Sequence, residues 1–517
     1  MKISKTQSKQ FKTLLKQPDF GWIKDLVKDH KDAEIYLVGG IVRDILLDRD
    51  SHDVDFIVRN IEIDELTKWL TKHGTVNLVG KTFGVFKFTP NDASENFTAF
   101  DIALPRTDHA AGTGGYKDVE TQSDPKLPIA EDLARRDFTI NALAWDIKNE
   151  DLIDDWNGVA DLNSRVLQTV GIPQERFEED YLRMLRALRF ACQLNFEIEE
   201  NTKLAIANMI EKINDEIKSL RVVPHETIAR ELMKSLVADP VKTLDLWDEV
   251  NAWKHVMPEL LDMKDSPQHH EFHAEGDVWM HTRLALQKLA SKDCIDFIQK
   301  HFPKFAQERA NPLNPDLVLS VLLHDISKPE TIQTPENDGV DRIRNHEHET
   351  VGAEKTRHIC ERMKLASPDE VGIDLDDVEW LVRYHLIAGT RNIDKMKPTT
   401  IEKYFFKNPT RGANLLLMIW ADGSATLSPE GEPAIAVLHD MIDRINKILS
   451  HFKKKTAAMK LPKPLVDGDE IMKKFKLKPG KQIGELLHVA REAQLSGEIK
   501  TKKEAFRILK NQLNTTN

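Results

Sequence analysis

Hydrophobic and polar positions change their period along the chain. From Glu34 to about Asp146 the apolar residues come in short β-rich runs, EIYLVGG, DVDFIV, FGVFKF and FTAFDIAL, parted by turns and one helical stretch. That spacing predicts an α/β head. Beyond Asp161 the period lengthens, and in DYLRMLRALRFACQL and ETIARELMKSLV apolar residues recur at intervals of three and four, the mark of amphipathic helices. Breaks near Pro224, Pro267, Pro312 to Pro315 and Pro462 to Pro464 punctuate this helical part. The expected organisation is a head over 1–160, a helical neck over 161–265, a third domain over 266–450 and a tail over 451–517, with no internal repeat.

A chain of 517 residues exceeds what one hydrophobic core serves, which agrees with several domains. The longest apolar run, Leu415 to Trp420, is core-sized and far short of a membrane span. The opening MKISKTQSKQF lacks the apolar stretch of a secretory signal, so a cytoplasmic protein without membrane contact is expected. Cys192, Cys294 and Cys360 lie far apart and form no CxxC pair, leaving His and carboxylates as the metal ligands. The net charge of −11 is unevenly spread: residues 441–517 hold 18 Lys and Arg against 8 Asp and Glu, a net +10, and the remainder carries −21. A basic terminal module on an acidic body fits a phosphate-backbone footprint, and equally a solvated helical surface.

The candidate chemistry of the head lies in YLVGGIVRDILL followed by SHDVDFIV. The pattern is a strand, a Gly39-Gly40 turn, a helix with Arg43 in its first turns, and a second strand carrying Asp53 and Asp55. Side chains two apart on a strand share a face, so the two carboxylates can converge on a pair of divalent cations, for which Mg2+ suits hard oxygen ligands. Glycines ahead of a helix N-terminus let backbone N–H groups approach a triphosphate, and Arg43 offers charge-assisted bonds to it. Asp101, at the end of FTAFDIAL, is the candidate third carboxylate. Two ions held there would activate an attacking 3′-hydroxyl and neutralise a pyrophosphate leaving group.

GGIVRD, DVD and the later EDLARRDFTINALA resemble the class II CCA-adding tRNA nucleotidyltransferase and bacterial poly(A) polymerase family. The resemblance implies a polymerase β-like head, with Arg136, Asp137 and Asn141 in the nucleotide pocket. For Arg135 and Arg136 plain surface charge is the alternative. DDWNGVADL resembles the segment between head and neck in that family, which implies a hinge at Asp155, Gly158 and Asp161. RTDHAAGTGGYKDVETQSDPKLPIAEDL is expected to contain the flexible loop that switches the pocket from C to A.

In EEDYLRMLRALRF, Asp180 and Arg183 are three apart and should be neighbours on one helix face. A guanidinium supplies donors and a carboxylate acceptors, so together they can meet the Watson–Crick edge of cytosine or adenine. Glu179, Asp180 and Arg183 resemble the EDxxR motif of the class II family, which implies that the protein takes the place of a template. A surface salt bridge is the competing account of the pair. Arg186 and Arg189 extend the stripe, toward phosphates or solvent.

HAEGDVWMHT, VLLHDISKPE, NHEHETVGAE, LVRYHLIAG and WADGSA together resemble an HD phosphohydrolase domain. The resemblance implies a divalent metal, its identity left open by the ligand set, on His281, His324, Asp325 and Asp422. It implies a second metal or a substrate phosphate for His348, His385 and Lys328. Such domains hydrolyse phosphoesters with metal-activated water, and the expected substrate here is a 2′,3′-cyclic phosphate or 2′-phosphate that blocks extension. The tail resembles the C-terminal segment of HD-containing tRNA nucleotidyltransferases, implying that Lys473, Lys474, Lys476, Lys478 and Lys481 clamp the tRNA elbow. The expected activity is addition of CCA to tRNA from CTP and ATP. CC addition, A addition, poly(A) synthesis, HD hydrolysis as the main activity, and a tRNA-binding scaffold with an inactive head are the alternatives.

Overall fold

The computed structural model describes residues 4–516 apart from 51–52, 80–84, 95–96, 98, 111, 116–118, 369–370, 389–392 and 452–460. Two compact units divide the chain, one formed by Met1–Ser235 with Asp245–His255, the other by Leu236–Leu244 with Val256–Asn517.

The first unit opens on an α/β head. Its strands are β1 (Glu34–Val38), β2 (Asp55–Arg59), β3 (Gly74–Val79), β4 (Val85–Pro90), β5 (Phe100–Ala103), β6 (Arg106–Ala110), β7 (Val119–Ser123), β8 (Ala144–Asp146) and β9 (Asp151–Ile153). Seven form one mixed sheet in the order β3-β4-β5-β2-β1-β8-β9, and β6 and β7 pair as a separate hairpin. Strand β2 runs antiparallel to β1 and parallel to β5, so Asp55 faces Asp101 directly across the ladder. Alternation puts Phe86, Phe88 and Phe100 into the core, where Phe56 and Trp22 meet Phe100 at ring separations of 5.3 and 5.8 Å. The head holds more helix than its sequence pattern suggests. Besides Gly40–Leu46, Ile63–His73 is a helix because Leu66, Trp69 and Leu70 recur at helical spacing and are buried. DVDFIV also enters the sheet later than expected: the strand starts at Asp55, and Asp53 lies in the extended residues before it.

The neck follows as Pro173–Glu179 and Leu182–Leu194, the second burying Leu185, Leu188, Ala191 and Cys192 and stopped by Asn195 in the left-handed region at φ 53°. In the second unit, the helices Val278–Leu289, Pro315–Leu323, His348–Arg362, Leu375–Tyr384 and Pro409–Ala425 pack together. Leu415 to Trp420 is wholly buried in this bundle, and among the described residues no helix is long and apolar enough to cross a membrane. Three terminal helices, Gly468–Phe475, Lys481–Leu495 and Lys502–Thr516, close around Ile471, Ile483, Leu486, Ile499 and Leu509. Burying each such side chain contributes about 1.5–3 kcal/mol before entropy is counted.

Candidate active sites

In the first unit, a cleft of about 730 Å³ is lined from the head by Gly39, Asp53, Asp55 and Arg136 and from the neck by Asp180 and Arg183. Its floor is the turn between β1 and the helix Gly40–Leu46. Gly39 holds φ +72°, and a Cβ there would stand 3.0 Å from Arg136 Nη1 and 3.5 Å from Asp55 Oδ2, so glycine is required twice over. Asp101 sits beside Asp55 by strand register, with Lys87 Nζ 3.1 Å from its Oδ1. Burial, reinforced by Asp101 and Asp53 and opposed by Arg136, pushes the Asp55 carboxyl up to about 6. Three clustered carboxylates with too little counter-charge fit hard divalent cations.

The cleft's middle is a chain of polar contacts. Arg43 forks onto Asp44 (2.9 and 3.0 Å) and donates to Asn141 Oδ1 at 2.8 Å. Asn141 donates to Asp137 Oδ1 at 3.0 Å, and Asp137 Oδ2 accepts from Arg186 at 2.7 and 2.9 Å. Burial opposes ionisation of Asp137, yet Arg186 and Asn141 hold its carboxyl down to about 2. Arg136 is no loose surface charge: it ion-pairs with the fully buried Asp132 at 3.2 Å, and Arg135 shares that carboxylate at 2.7 Å. Neither Arg186 nor Arg189 is merely solvated. The first meets Asp137, and the second pairs with the buried Glu231 at 2.6 Å.

The expectation that Asp180 and Arg183 share a helix face is corrected. Asp180 falls between the two neck helices in extended conformation (φ −158°, ψ 105°), and its Oδ1 accepts from the Leu182 N–H at 2.9 Å. It therefore caps the following helix. Arg183 makes its ion pair with Glu179 (2.5 Å) and donates to the Arg135 carbonyl at 3.2 Å. The two side chains reach the cleft separately, so a mutual salt bridge does not explain them. An acidic residue directly before a long apolar-periodic helix was the available signal.

Of the residues in DDWNGVADL, Asp155 is exposed, Gly158 opens the helix Gly158–Ser164, and Asp161 Oδ2 accepts from Thr139 Oγ1 at 2.5 Å. The helix is capped by Asp154, which sequence reasoning missed: it accepts from the N–H groups of Gly158 (2.6 Å) and Val159 (3.1 Å). The expected C-to-A loop spans β6 and β7. Residues 111 and 116–118 of it lie outside the described residues, while the Gly114 carbonyl accepts from the Tyr181 N–H at 2.9 Å.

The second unit gathers His281, His324, Asp325, His348, His385 and Asp422 into one buried centre. His324, His348 and His385 each place Nδ1 2.6–2.8 Å from a backbone carbonyl, of Val321, Asn345 and Val382. A carbonyl only accepts, so each Nδ1 carries the proton and each Nε2 presents a lone pair. Those nitrogens converge: His281 and His324 Nε2 are 3.3 Å apart, and His348 Nε2 lies 3.3 Å from Asp325 Oδ1. Asp325, 1% exposed, has His324 Nε2 3.1 Å from Oδ2, and His385 Nε2 stands 4.0 Å from Oδ1 without a hydrogen-bond partner. Burial works against a proton on His281, but Asp422 and Glu275 outweigh it and raise the imidazole to about 9. A site that turns several imidazole nitrogens and two carboxylates toward one another in a largely buried centre fits a metal ion. Lys328 Nζ stands 2.7 Å from Asp325 Oδ2 at the edge of an adjoining cavity of about 340 Å³. Lys473, Lys474, Lys476, Lys478 and Lys481 are all exposed on the first two tail helices and the turn joining them.

A carboxylate-bearing mixed sheet beneath a nucleotide-sized cleft, carried on one chain with a buried cluster of His and Asp, defines a nucleotidyltransferase head followed by an HD domain. Residues 35–168 match the poly A polymerase head domain and residues 298–416 the HD domain. A multifunctional CCA protein of Stenotrophomonas maltophilia is 32% identical over 77% of this chain and 89% of its own length. One from Xylella fastidiosa is 31% identical over 75% and 83%. The chain belongs to the multifunctional CCA protein family. Its fold is similar to a Bacillus stearothermophilus CCA-adding enzyme solved with CTP (20% identity, TM-score 0.58, 97% of this chain and 99% of that one). A Thermotoga maritima CCA-adding enzyme solved with tRNA is likewise similar (18%, TM-score 0.57, 97% and 98%).

Proposed function

We propose that the chain adds CCA to the 3′ end of tRNA from CTP and ATP, selecting the base with protein side chains. The observation that carries this reading is that Asp53 and Asp55 line the same cleft as Asp180 and Arg183. Family membership and relatives named multifunctional CCA proteins support it. Asp53, Asp55 and Asp101 would hold divalent cations, Mg2+ by the hardness of the ligands, which when bound supply charge neutralisation at the reacting phosphate. The Gly39-Gly40 turn lets backbone approach the triphosphate at a helix N-terminus. Arg43 and Asn141 fix one another against Asp137, and Arg136 is braced by Asp132, so the pocket's donors are set before nucleotide arrives. Asp180 offers acceptors and Arg183 donors to the base edge; guanine and uracil present the wrong order.

The His/Asp centre is a second active site in this proposal, hydrolysing phosphoesters that block the RNA 3′ end, a 2′,3′-cyclic phosphate or a 2′-phosphate. His281, His324, Asp325 and Asp422 would hold the metal, whose bound water is the nucleophile such centres supply. His348, His385 and Lys328 face the substrate phosphate or a second ion. The exposed tail lysines hold the tRNA elbow without reading sequence.

Incubating tRNA that lacks its 3′ end with CTP, with ATP, with both, and with an oligo(A) primer tests the first activity. Three defined additions with both nucleotides are expected. Unlimited ATP addition to oligo(A) would overturn the CCA reading. Failure to hydrolyse cyclic phosphates with any divalent metal would remove the second site.

A further inference from the structure

The motif HAEGDVWMHT contributes His281 to the His/Asp centre and, six residues earlier, Glu275, to which no contact with metal or substrate is assigned. Glu275 is 3% exposed in its side chain and saturated with donors. Its Oε1 lies 2.7 Å from His281 Nδ1 and 2.7 Å from His273 Nδ1, and its Oε2 accepts from the Leu427 N–H at 2.9 Å. The Leu427 carbonyl in turn accepts from the Ala274 N–H at 2.9 Å. These bonds stitch the segment before the helix Val278–Leu289 to the residues just past the helix Pro409–Ala425, which carries Asp422. His281 and Asp422 touch at 3.1 Å although 141 positions separate them, and both fall outside the residues 298–416 that match the HD domain.

His281 also differs from its companions. His324, His348 and His385 have Nδ1 fixed by a carbonyl within their own local backbone, three residues back in each case. His281 heads no such local bond; its Nδ1 partner is the Glu275 carboxylate, which in its ionised form can only accept. A carboxylate on Nδ1–H fixes the tautomer that leaves Nε2 toward the centre, restrains ring rotation and makes Nε2 a stronger donor to a metal. The same carboxylate fixes His273, which lines the adjoining cavity.

We infer that Glu275 is a positioning residue of the His/Asp centre, making His281 a competent metal ligand and bracing it against Asp422. The inference rests on the reading of that centre as a metal site. In Glu275→Gln, shape and one acceptor oxygen persist but the charge is lost, and metal affinity should fall about 10- to 100-fold.

The test is a Co2+ titration of the full, metal-stripped chain, followed by the visible d–d bands of imidazole-ligated cobalt, beside melting curves without metal and Mg2+-supported CTP incorporation. The expected result is a 10- to 100-fold higher Co2+ dissociation constant for E275Q, with altered bands and unchanged incorporation, beside a lower metal-free melting temperature because the amide NH2 faces the Leu427 N–H. Equal Co2+ affinity and bands in variant and wild type would overturn the positioning role alone. A lower metal-free melting temperature with unchanged affinity would assign Glu275 to packing and also overturn it. Absence of imidazole-type bands in the wild type would instead overturn the metal reading on which the inference rests.

Discussion

Replacing Gly158 with alanine separates a hinge from a packing contact. A hinge glycine is needed for backbone freedom, whereas Gly158 begins a helix and is buried against the Thr139–Asn141 turn. A Cβ there would lie 2.3 Å from the Thr139 carbonyl oxygen, 2.9 Å from its carbon and 3.1 Å from Leu143 Cδ2. Two of these atoms are backbone, so relief requires the helix or the turn to move. Overpacking of this kind costs about 1–3 kcal/mol. At about 2–4 °C per kcal/mol for a unit of this size, the first unit's calorimetric transition should fall by about 2–12 °C. The displaced turn carries Asn141, which bridges Arg43 and Asp137, so KM for CTP and ATP should rise together with the loss of stability. A melting transition within 1 °C of wild type, with kcat reduced and KM unchanged, would refute the packing argument and restore the hinge.

Asp55→Asn should lower nucleotide incorporation by roughly three orders of magnitude, since several kcal/mol of charge stabilisation is at stake, while phosphoester hydrolysis continues; single-turnover CTP addition and a cyclic-phosphate assay read the two. Asp180→Ala or Arg183→Ala should relax base choice by about 1–3 kcal/mol, measured as GTP and UTP incorporation relative to CTP and ATP. Arg186→Met removes the cation that helps hold Asp137 near 2 instead of its usual 3.8. A depressed carboxyl stabilises the fold above the unfolded value and loses that contribution as pH falls. The variant should therefore be at most about 2 kcal/mol less stable at pH 7, with the gap to wild type closing between about pH 4 and 2 in melting curves. Replacing Lys473, Lys474 and Lys478 with alanine should weaken tRNA binding and flatten its salt dependence by roughly one unit of slope per lost phosphate contact.

What the sequence made legible is what depends on local order. The Gly39 turn follows from a strand, two glycines and a helix in succession. The opposition of Asp55 and Asp101 follows from two β-rich runs that each carry an acid where the strand begins, Asp101 lying near the start of Phe100–Ala103 and not at its expected end. His324, His348 and His385, legible as part of the HD pattern, each hold Nδ1 on a carbonyl three residues back, so for them pattern and orientation travel together. Asp180 and Arg183 show the limit: a spacing of three implies one face only if the helix is continuous, and Asp180 stops it by capping the next.

Partners fixed by tertiary structure left no such trace. Asp137 and Arg186 are 49 positions apart, Arg189 and Glu231 are 42, and His281 and Asp422 are 141. None of these pairs has a spacing that a helix or strand period would flag. Yet they are the contacts that convert motif residues into a site, because an arginine or imidazole listed by type acquires a direction only from the carboxylate that holds it. Residues 298–416 carry the part of the centre fixed by local turns, whereas His281 and Asp422 depend on a brace between distant segments. The physical consequence is that substitutions at the braces Asp132 and Glu275 should alter nucleotide or metal affinity without removing any residue that touches either ligand.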